Sequence, residues 1–322
     1  MNPSPDLRSV EGLIFAIDQT AIHDGPGVRM MIYLKGCPLY CLWCHSPESI
    51  DPKPEVVWYE TRCVRCGKCV QACPEGLRSL DGGGTSVPLV NHSPHRRDAN
   101  ATTIGECRLC RACLEACEHN ALEVKGCVTT AGQLVDEAVR LKPFFRRSGG
   151  GVTLSGGEPM LQSQFAYAIA ALCREAGIHV ALETSGHVHW ARLRPMTRVV
   201  DLFLYDLKHA DNAKHRAYTG VSNRLILENL ARVVEAGCEV VVRVPLIPGH
   251  NDSPDDIRAI ARAAQARGVT QLTLLPFNPA APGKWAWLRR PYPLAGAQRQ
   301  TPEEVAGLER VVGNEGLMLV PA

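Results

Sequence analysis

The chain has 322 residues, 45% of them hydrophobic, and its 35 Lys+Arg against 33 Asp+Glu give a net charge of +2. That size allows one large domain or two smaller ones, and the charge balance leaves no electrostatic footprint for nucleic acid. Residues 1–11 hold no apolar signal-type core and no run of 18 apolar residues offers a membrane span, so we expect a cytoplasmic protein whose fourteen cysteines serve metal rather than disulfides.

In chain order, Met30–Leu34 reads as a strand that runs into a cysteine loop. Residues from about 50 to 127 hold nine of the cysteines, among polar, Gly-rich loops such as that at 81–86. From Val128 onward, strand-type and helix-type runs alternate. Thr130 with Gln133 forms a capping box that predicts a helix through Leu141. Gly151–Leu154 is a strand and Leu161–Ala176 a helix; Ile178–Glu183 and Val199–Tyr205 are strands. Arg224–Ala236 is a helix, Glu239–Val244 a strand, and Ser253-Pro254 opens a further helix. Gln271–Leu275 is a strand, and Thr301-Pro302-Glu303-Glu304 caps the last helix. Such alternation predicts parallel βαβ units with about six strands. The expected class is α/β: a partial barrel formed by 1–49 and 128–322, interrupted by a cysteine-rich insert over 50–127.

Cys37-Pro-Leu-Tyr-Cys41-Leu-Trp-Cys44 supplies three thiolates at C-x3-C-x2-C spacing. Structural zinc wants four closed ligands, usually as two CxxC pairs. Three tightly spaced thiolates suit an iron–sulfur cluster with one iron left open to bind something.

The insert carries a different pattern. Cys63, Cys66, Cys69 and Cys73 follow C-x2-C-x2-C-x3-C with Pro74 next, and Cys107, Cys110, Cys113 and Cys117 repeat the spacing with Glu118 in place of the proline. This is the bacterial ferredoxin run, in which the fourth cysteine serves the other cluster. One 4Fe–4S cluster is therefore assigned to Cys63, Cys66, Cys69 and Cys117, and a second to Cys107, Cys110, Cys113 and Cys73. Cys127, Cys173 and Cys238 fit no ligand pattern; Cys173 and Cys238 read as small buried apolar residues.

Charged and glycine-rich elements close the predicted strands. Gly156-Gly157-Glu158-Pro159 follows the first strand after the insert, where adjacent glycines let a backbone approach a ligand. Glu183-Thr184-Ser185-Gly186 and Asp206-Leu207-Lys208 end the next two. Asp206 and Lys208, two apart on a strand, are expected to share a face. Arg243 stands on the fifth strand, as a bidentate carboxylate contact or half of a buried ion pair. A barrel's chemistry sits at these C-terminal strand ends.

The block from Ile22-His23-Asp24-Gly25-Pro26-Gly27-Val28-Arg29 through the three cysteines to Ser46-Pro47-Glu48-Ser49 resembles the cluster loop of radical S-adenosylmethionine enzymes. More narrowly, it resembles the activating enzymes of glycyl radical enzymes, the pyruvate formate-lyase activating enzyme group. The likeness extends to GGEP, to the DLK run, to Tyr218-Thr-Gly-Val-Ser-Asn223, to Arg243-Val-Pro-Leu-Ile-Pro248-Gly249-His250-Asn251-Asp252, and to Pro276-Phe277-Asn278. It implies an open (β/α)6 barrel with a ferredoxin-like insert.

The resemblance also implies roles. Cys37, Cys41 and Cys44 would hold the catalytic cluster. Gly156, Gly157 and Glu158 would hold the methionyl amino group of S-adenosylmethionine, and Lys208 its carboxylate. Asp206 would meet the ribose or a monovalent cation that Glu183 and Thr184 share, with Ser185 and Leu207 beside them. Trp43, Cys44 and His45 would lie against the adenine, and Arg243 would contact a carboxylate. Asn278 stands where relatives usually carry a histidine that contacts the cofactor. Three 4Fe–4S clusters, S-adenosylmethionine, a flavodoxin or ferredoxin electron donor and a glycyl radical enzyme as protein substrate complete the implied set. A radical S-adenosylmethionine enzyme acting on a small molecule or peptide is the alternative. A simple electron carrier would need neither GGEP, nor the DLK run, nor the barrel.

Overall fold

The structure, a computed structural model, describes residues 6–77, 79–81, 84–86 and 107–321. Strand β1 (Glu11–Ala21) runs antiparallel to β2 (Arg29–Leu34), which ends at the first cysteine loop. The chain then leaves the sheet through β3 (Glu55–Trp58), α1 (Lys68–Gln71), β4 (Ser79–Asp81), β5 (Gly84–Ser86), α2 (Ala112–Glu115) and β6 (Leu122–Lys125). β3 and β6 pair antiparallel, with Val56 opposite Val124 and Trp58 opposite Leu122. β7 (Cys127–Thr130) returns the chain to the free side of β1.

Helices and parallel strands then alternate. They are α3 (Ala131–Ser148), β8 (Gly151–Gly156), α4 (Ser163–Glu175), β9 (His179–Thr184), α5 (Trp190–Leu193), β10 (Leu202–Asp206), α6 (Asn212–Thr219) and α7 (Arg224–Glu235). β11 (Glu239–Pro245), α8 (Pro254–Gln265), β12 (Gln271–Leu275), α9 (Ala281–Trp287), α10 (Pro302–Asn314) and β13 (Met318–Leu319) follow. The sheet holds nine strands in the order β13-β12-β11-β10-β9-β8-β2-β1-β7. From β2 to β13 every neighbouring pair is parallel. This is the partial barrel, with β1 and β7 added at one edge.

Alternation along the strands sorts two environments. Val152, Leu154, Val180, Leu182, Phe203, Tyr205, Val242 and Val244 join the core under the helices. Ser155, Glu183, Asp206 and Arg243 point to the other side and line a cavity. The register sets Asp206 beside Arg243 and Tyr33 beside Ser155. α3 starts with the expected capping box, Thr130 Oγ1 accepting from the Gln133 N–H at 3.2 Å.

Three details differ from the sequence reading. β1 was not anticipated, because its exposed and half-buried residues show no clean alternation and it is interrupted by two register shifts. α3 runs beyond Leu141 through Pro143 to Ser148, since its apolar face continues to Phe145 in the core. The Gly-rich 81–86 stretch is less a loop than a hairpin, with Asp81 opposite Gly84; residues 82 and 83 lie outside the described residues.

One side chain ties two strand ends together. Asn251, fully buried, donates from Nδ2 to the carbonyls of Lys208 (2.9 Å) and Pro245 (2.8 Å). Its Oδ1 accepts from the Ile247 N–H at 2.7 Å. Asn251→Leu strands these three backbone groups and should destabilise the fold by roughly 3 kcal/mol or more. Thermal unfolding checks this, and an unchanged midpoint would show that these bonds do not anchor the β10 and β11 ends.

Candidate functional site

The loop after β2 is held on every side by backbone bonds. Gly36 N–H donates to Ser49 O (2.6 Å), Cys37 N–H to Ile50 O (3.0 Å), Tyr40 N–H to Thr219 O (2.8 Å) and Leu42 N–H to Tyr218 O (3.0 Å). The Trp285 indole donates to the Cys44 carbonyl at 2.8 Å. From β8, Gly157 N–H reaches Leu34 O (2.9 Å) and Glu158 N–H reaches Gly36 O (2.8 Å). A Cβ on Gly157 would lie 2.3 Å from the Gly36 oxygen and 3.0 Å from Cys37 Cβ, so only glycine lets these backbones meet.

Cys37, Cys41 and Cys44 open on one cavity of about 1690 Å³ that continues into solvent. Trp43, His45, Gly156, Gly157, Glu183, Ser185, Asp206, Lys208 and Arg243 share its walls. Among the described residues, no three His, Cys, Asp or Glu side chains converge as a single metal ion would require. The donor set is soft and three-fold, as a cluster with an open position wants. Burial pushes the Cys41 thiol up to about 11 and the Cys44 thiol up to about 12, and raises Cys37 well above the ordinary thiol range. A metal centre beside these sulfurs would supply the charge that favours their thiolate form.

Charged side chains crowd the wall facing the cysteines. Lys208 Nζ lies 2.7 Å from Asp206 Oδ2, and Arg243 Nη1 lies 3.1 Å from Asp24 Oδ1 and 3.5 Å from Glu183 Oε2. Ser155 Oγ donates to Glu183 at 2.6 Å. Burial alone would lower the Arg243 pKa; Glu183, Asp206 and Asp24 outweigh it and hold it raised. Lys208 is likewise raised by Asp206 and Cys41 against burial. Both cations therefore stay charged. Two buried polar atoms on this cavity, Arg243 Nε and Glu48 Oε2, lack partners among the described residues. Buried polar atoms are normally satisfied, so these two stand out on the wall.

Three expected residues stand elsewhere. Glu158, 1% exposed, turns away from the cavity. It accepts from Thr184 Oγ1 (2.7 Å), Ser185 N–H (2.8 Å), Ser185 Oγ (2.6 Å) and Met160 N–H (3.2 Å). The Leu207 side chain packs into the core under the helices, and its N–H donates to Arg243 O at 3.0 Å. Asn278 is exposed and is not among the residues lining the cavity; its Oδ1 accepts from the Ala280 N–H at 3.0 Å. His45 is lowered chiefly by burial and then by Lys284, so it is neutral near pH 7.

The sequence reading assigned no role to several wall residues. Asp24 lay within the quoted Ile22–Arg29 block, whose spacing alone does not reveal its reach to Arg243. Phe15 and Ile17 come from the unforeseen β1, and Trp287 from α9.

In the insert, Cys63, Cys66, Cys69 and Cys117 surround one small cavity. Cys73, Cys107, Cys110 and Cys113 surround another. The fourth cysteine of each run thus sits with the other run's first three. Tyr59, next to β3, meets Trp287 edge-on at 5.1 Å, which joins the insert to the main cavity wall. Glu55 adds ion pairs to Lys35 (3.0 Å) and Arg290 (3.3 Å). Of the remaining cysteines, Cys173 is buried, Cys238 half-buried and Cys127 exposed.

Residues 117–264 match the Radical SAM superfamily, and residues 56–78 match the 4Fe-4S binding domain. The first span begins after the Cys37–Cys44 loop, whose geometry is therefore a separate observation. Fold, cysteine sets and matches together define a radical S-adenosylmethionine protein that carries 4Fe–4S clusters. The chain is 38% identical over 290 residues to the choline trimethylamine-lyase activating enzyme of Oleidesulfovibrio alaskensis, covering 89% of this chain and 90% of that one. It is 37% identical over 293 residues to the isethionate sulfite-lyase activating enzyme of the same organism, at the same coverages of 89% and 90%. It is 35% identical over 312 residues to the benzylsuccinate synthase activating enzyme of Thauera aromatica, covering 95% and 91%. The chain belongs to the activating enzymes of glycyl radical enzymes.

Glu158 gives a direct test of how the site is held. Glu158→Ala strands two hydroxyls and two backbone N–H groups and should lower stability by roughly 3 kcal/mol or more. Glu158→Gln keeps acceptor capacity on one atom and should fall between the two. Equal thermal midpoints for all three proteins would exclude this anchoring role.

Proposed function

We propose that this chain cleaves S-adenosylmethionine reductively at the main cavity and takes a hydrogen atom from the Cα of one glycine in a partner glycyl radical enzyme. The carrying observation is that three cysteine thiols and the Lys208–Asp206 and Arg243–Glu183 pairs face one cavity. Cys37, Cys41 and Cys44 would hold a 4Fe–4S cluster with one open iron. When bound, that cluster supplies the electron that breaks the C5′–S bond; 5′-deoxyadenosine, methionine and a glycyl radical are the products.

The protein's own part is positioning and exclusion of water. Lys208 presents a compact cation to the methionyl carboxylate, and Arg243 offers its unpartnered Nε to a second acceptor. Gly156 and Gly157, on the cavity wall, would meet the amino group with their backbone, while Glu158 acts one step removed by fixing Thr184 and Ser185. Trp43, packed edge-on to Tyr218 (6.3 Å) and His250 (6.5 Å), would form a stiff wall for the adenine beside neutral His45. Glu183, Thr184 and Asp206 supply oxygens that suit a hard monovalent cation. The cavity opens to solvent, which suits the entry of an extended loop presenting a glycine.

We assign the barrel to 1–49 and 128–322, and the insert to 50–127. The insert would hold two further 4Fe–4S clusters in the crossed arrangement, making three in all. With four thiolates each, these have no open iron and would pass electrons from a flavodoxin or ferredoxin. The Tyr59–Trp287 contact links the insert to the main cavity wall.

Changing Cys37, Cys41 and Cys44 together to Ala should abolish 5′-deoxyadenosine formation. Iron should fall by about four from about twelve per chain, the content of three cubane clusters. Continued cofactor cleavage in this variant would overturn the reading. Lys208→Ala removes one charge-assisted contact, about 1.5–3 kcal/mol, and should weaken S-adenosylmethionine binding roughly ten- to a hundredfold with iron unchanged. Spectra of the reduced clusters titrated with S-adenosylmethionine measure this, and parental affinity would place the carboxylate elsewhere.

A further inference from the structure

Trp58 lies on β3 and is 7% exposed. Its ring walls the insert cavity surrounded by Cys63, Cys66, Cys69 and Cys117. An indole nitrogen can only donate. Nε1 is buried and has no hydrogen-bond partner among the described residues. A buried N–H without an acceptor is rare and calls for one.

The cavity is lined by four cysteine sulfurs and by His119, which is exposed. Val64, Ala116 and Leu122 are its apolar neighbours. One N–H in the same wall already points at sulfur: Ala121 N–H donates to Cys117 Sγ at 3.3 Å. The Trp58 ring is also held in place, with the Arg289 guanidinium 5.0 Å from its centre and Leu122 opposite on β6. The second cavity differs here. Val56 and Val124, the neighbouring cross-strand pair, line it with Arg108 and Arg111, and no indole among the described residues does.

We propose that the Trp58 indole N–H donates a hydrogen bond to a sulfur of the cluster held by Cys63, Cys66, Cys69 and Cys117, and so raises that cluster's reduction potential. Reduction adds negative charge to the cluster, so a donor favours the reduced form. Hydrogen bonds to the sulfurs are among the levers that set such potentials. Trp58 is thus a tuning residue for that one insert cluster, since no indole lines the second cavity. The proposal rests on the crossed cysteine assignment.

The test is an anaerobic redox titration of the full-length, iron-loaded protein followed by electron paramagnetic resonance. Trp58→Phe keeps a ring and removes the N–H. One insert-cluster midpoint should move to a more negative value, by about 59 mV for a tenfold change in a one-electron equilibrium. The other midpoints should stay in place. Unmoved midpoints at full iron content overturn the proposal. If the Phe variant loses iron, parent protein labelled with 15N at its indoles decides: hyperfine coupling of 15N to a reduced insert cluster supports the bond, and its absence refutes it. A Cys63→Ser, Cys117→Ser variant separates the underlying assignment. Loss of one cluster with the other intact supports the crossed set, and loss of both or neither overturns that assignment rather than the role of the indole.

Discussion

The backbone after β8 presses on the backbone after β2, and the rest of the site hangs from that contact. Gly157 and Glu158 donate to Leu34 and Gly36, at a distance that a side chain on Gly157 would forbid. The Glu158 carboxylate then passes the constraint to Thr184 and Ser185 at the end of β9. Asn251 does the same between the ends of β10 and β11. The strand ends are thereby locked to one another around the cysteine loop before any guest is bound. Such preorganisation spares the cost of ordering these groups at the moment of binding.

The charges follow from the same geometry. Strand alternation sends Glu183, Asp206 and Arg243 to the cavity and their neighbours to the core. Charges this deep persist only when paired. The pairs Lys208–Asp206 and Arg243–Asp24 satisfy that requirement, while Arg243 Nε and Glu48 Oε2 remain unmet. The sequence reading treated ion pairing as the rival of cofactor binding at Arg243. The structure shows Arg243 in an ion pair on the cavity wall with one N–H still unused, so pairing and ligand contact are compatible there.

The insert is joined to the barrel by more than the two strands of chain that lead into it. Lys35, buried at the root of the cysteine loop, bonds the Glu48 carbonyl at 2.7 Å and Glu55 at the start of β3. Tyr59 on Trp287 and Arg289 over Trp58 add aromatic contacts from the segment around α9. A shift of the insert would thus be felt at the loop that carries Cys37 to Cys44.

Much was readable in the one-dimensional pattern. Cysteine spacing is a local property, so the three-thiol loop and the two ferredoxin runs stood out, as did the βαβ alternation and the caps at Thr130, Ser253 and Thr301. Each insert cavity gathers three cysteines of one run and the fourth of the other. Only the tertiary structure could assign β1 to the wall, bring Asp24 to Arg243 across 219 positions of sequence, and turn Glu158 and Leu207 away from the cavity. The physical reason is that burial and hydrogen bonding choose a side chain's direction from what lies next to it in space. A motif states which groups are present within a few residues; their partners, including the sulfur-facing wall at Trp58, are supplied by segments the motif does not contain.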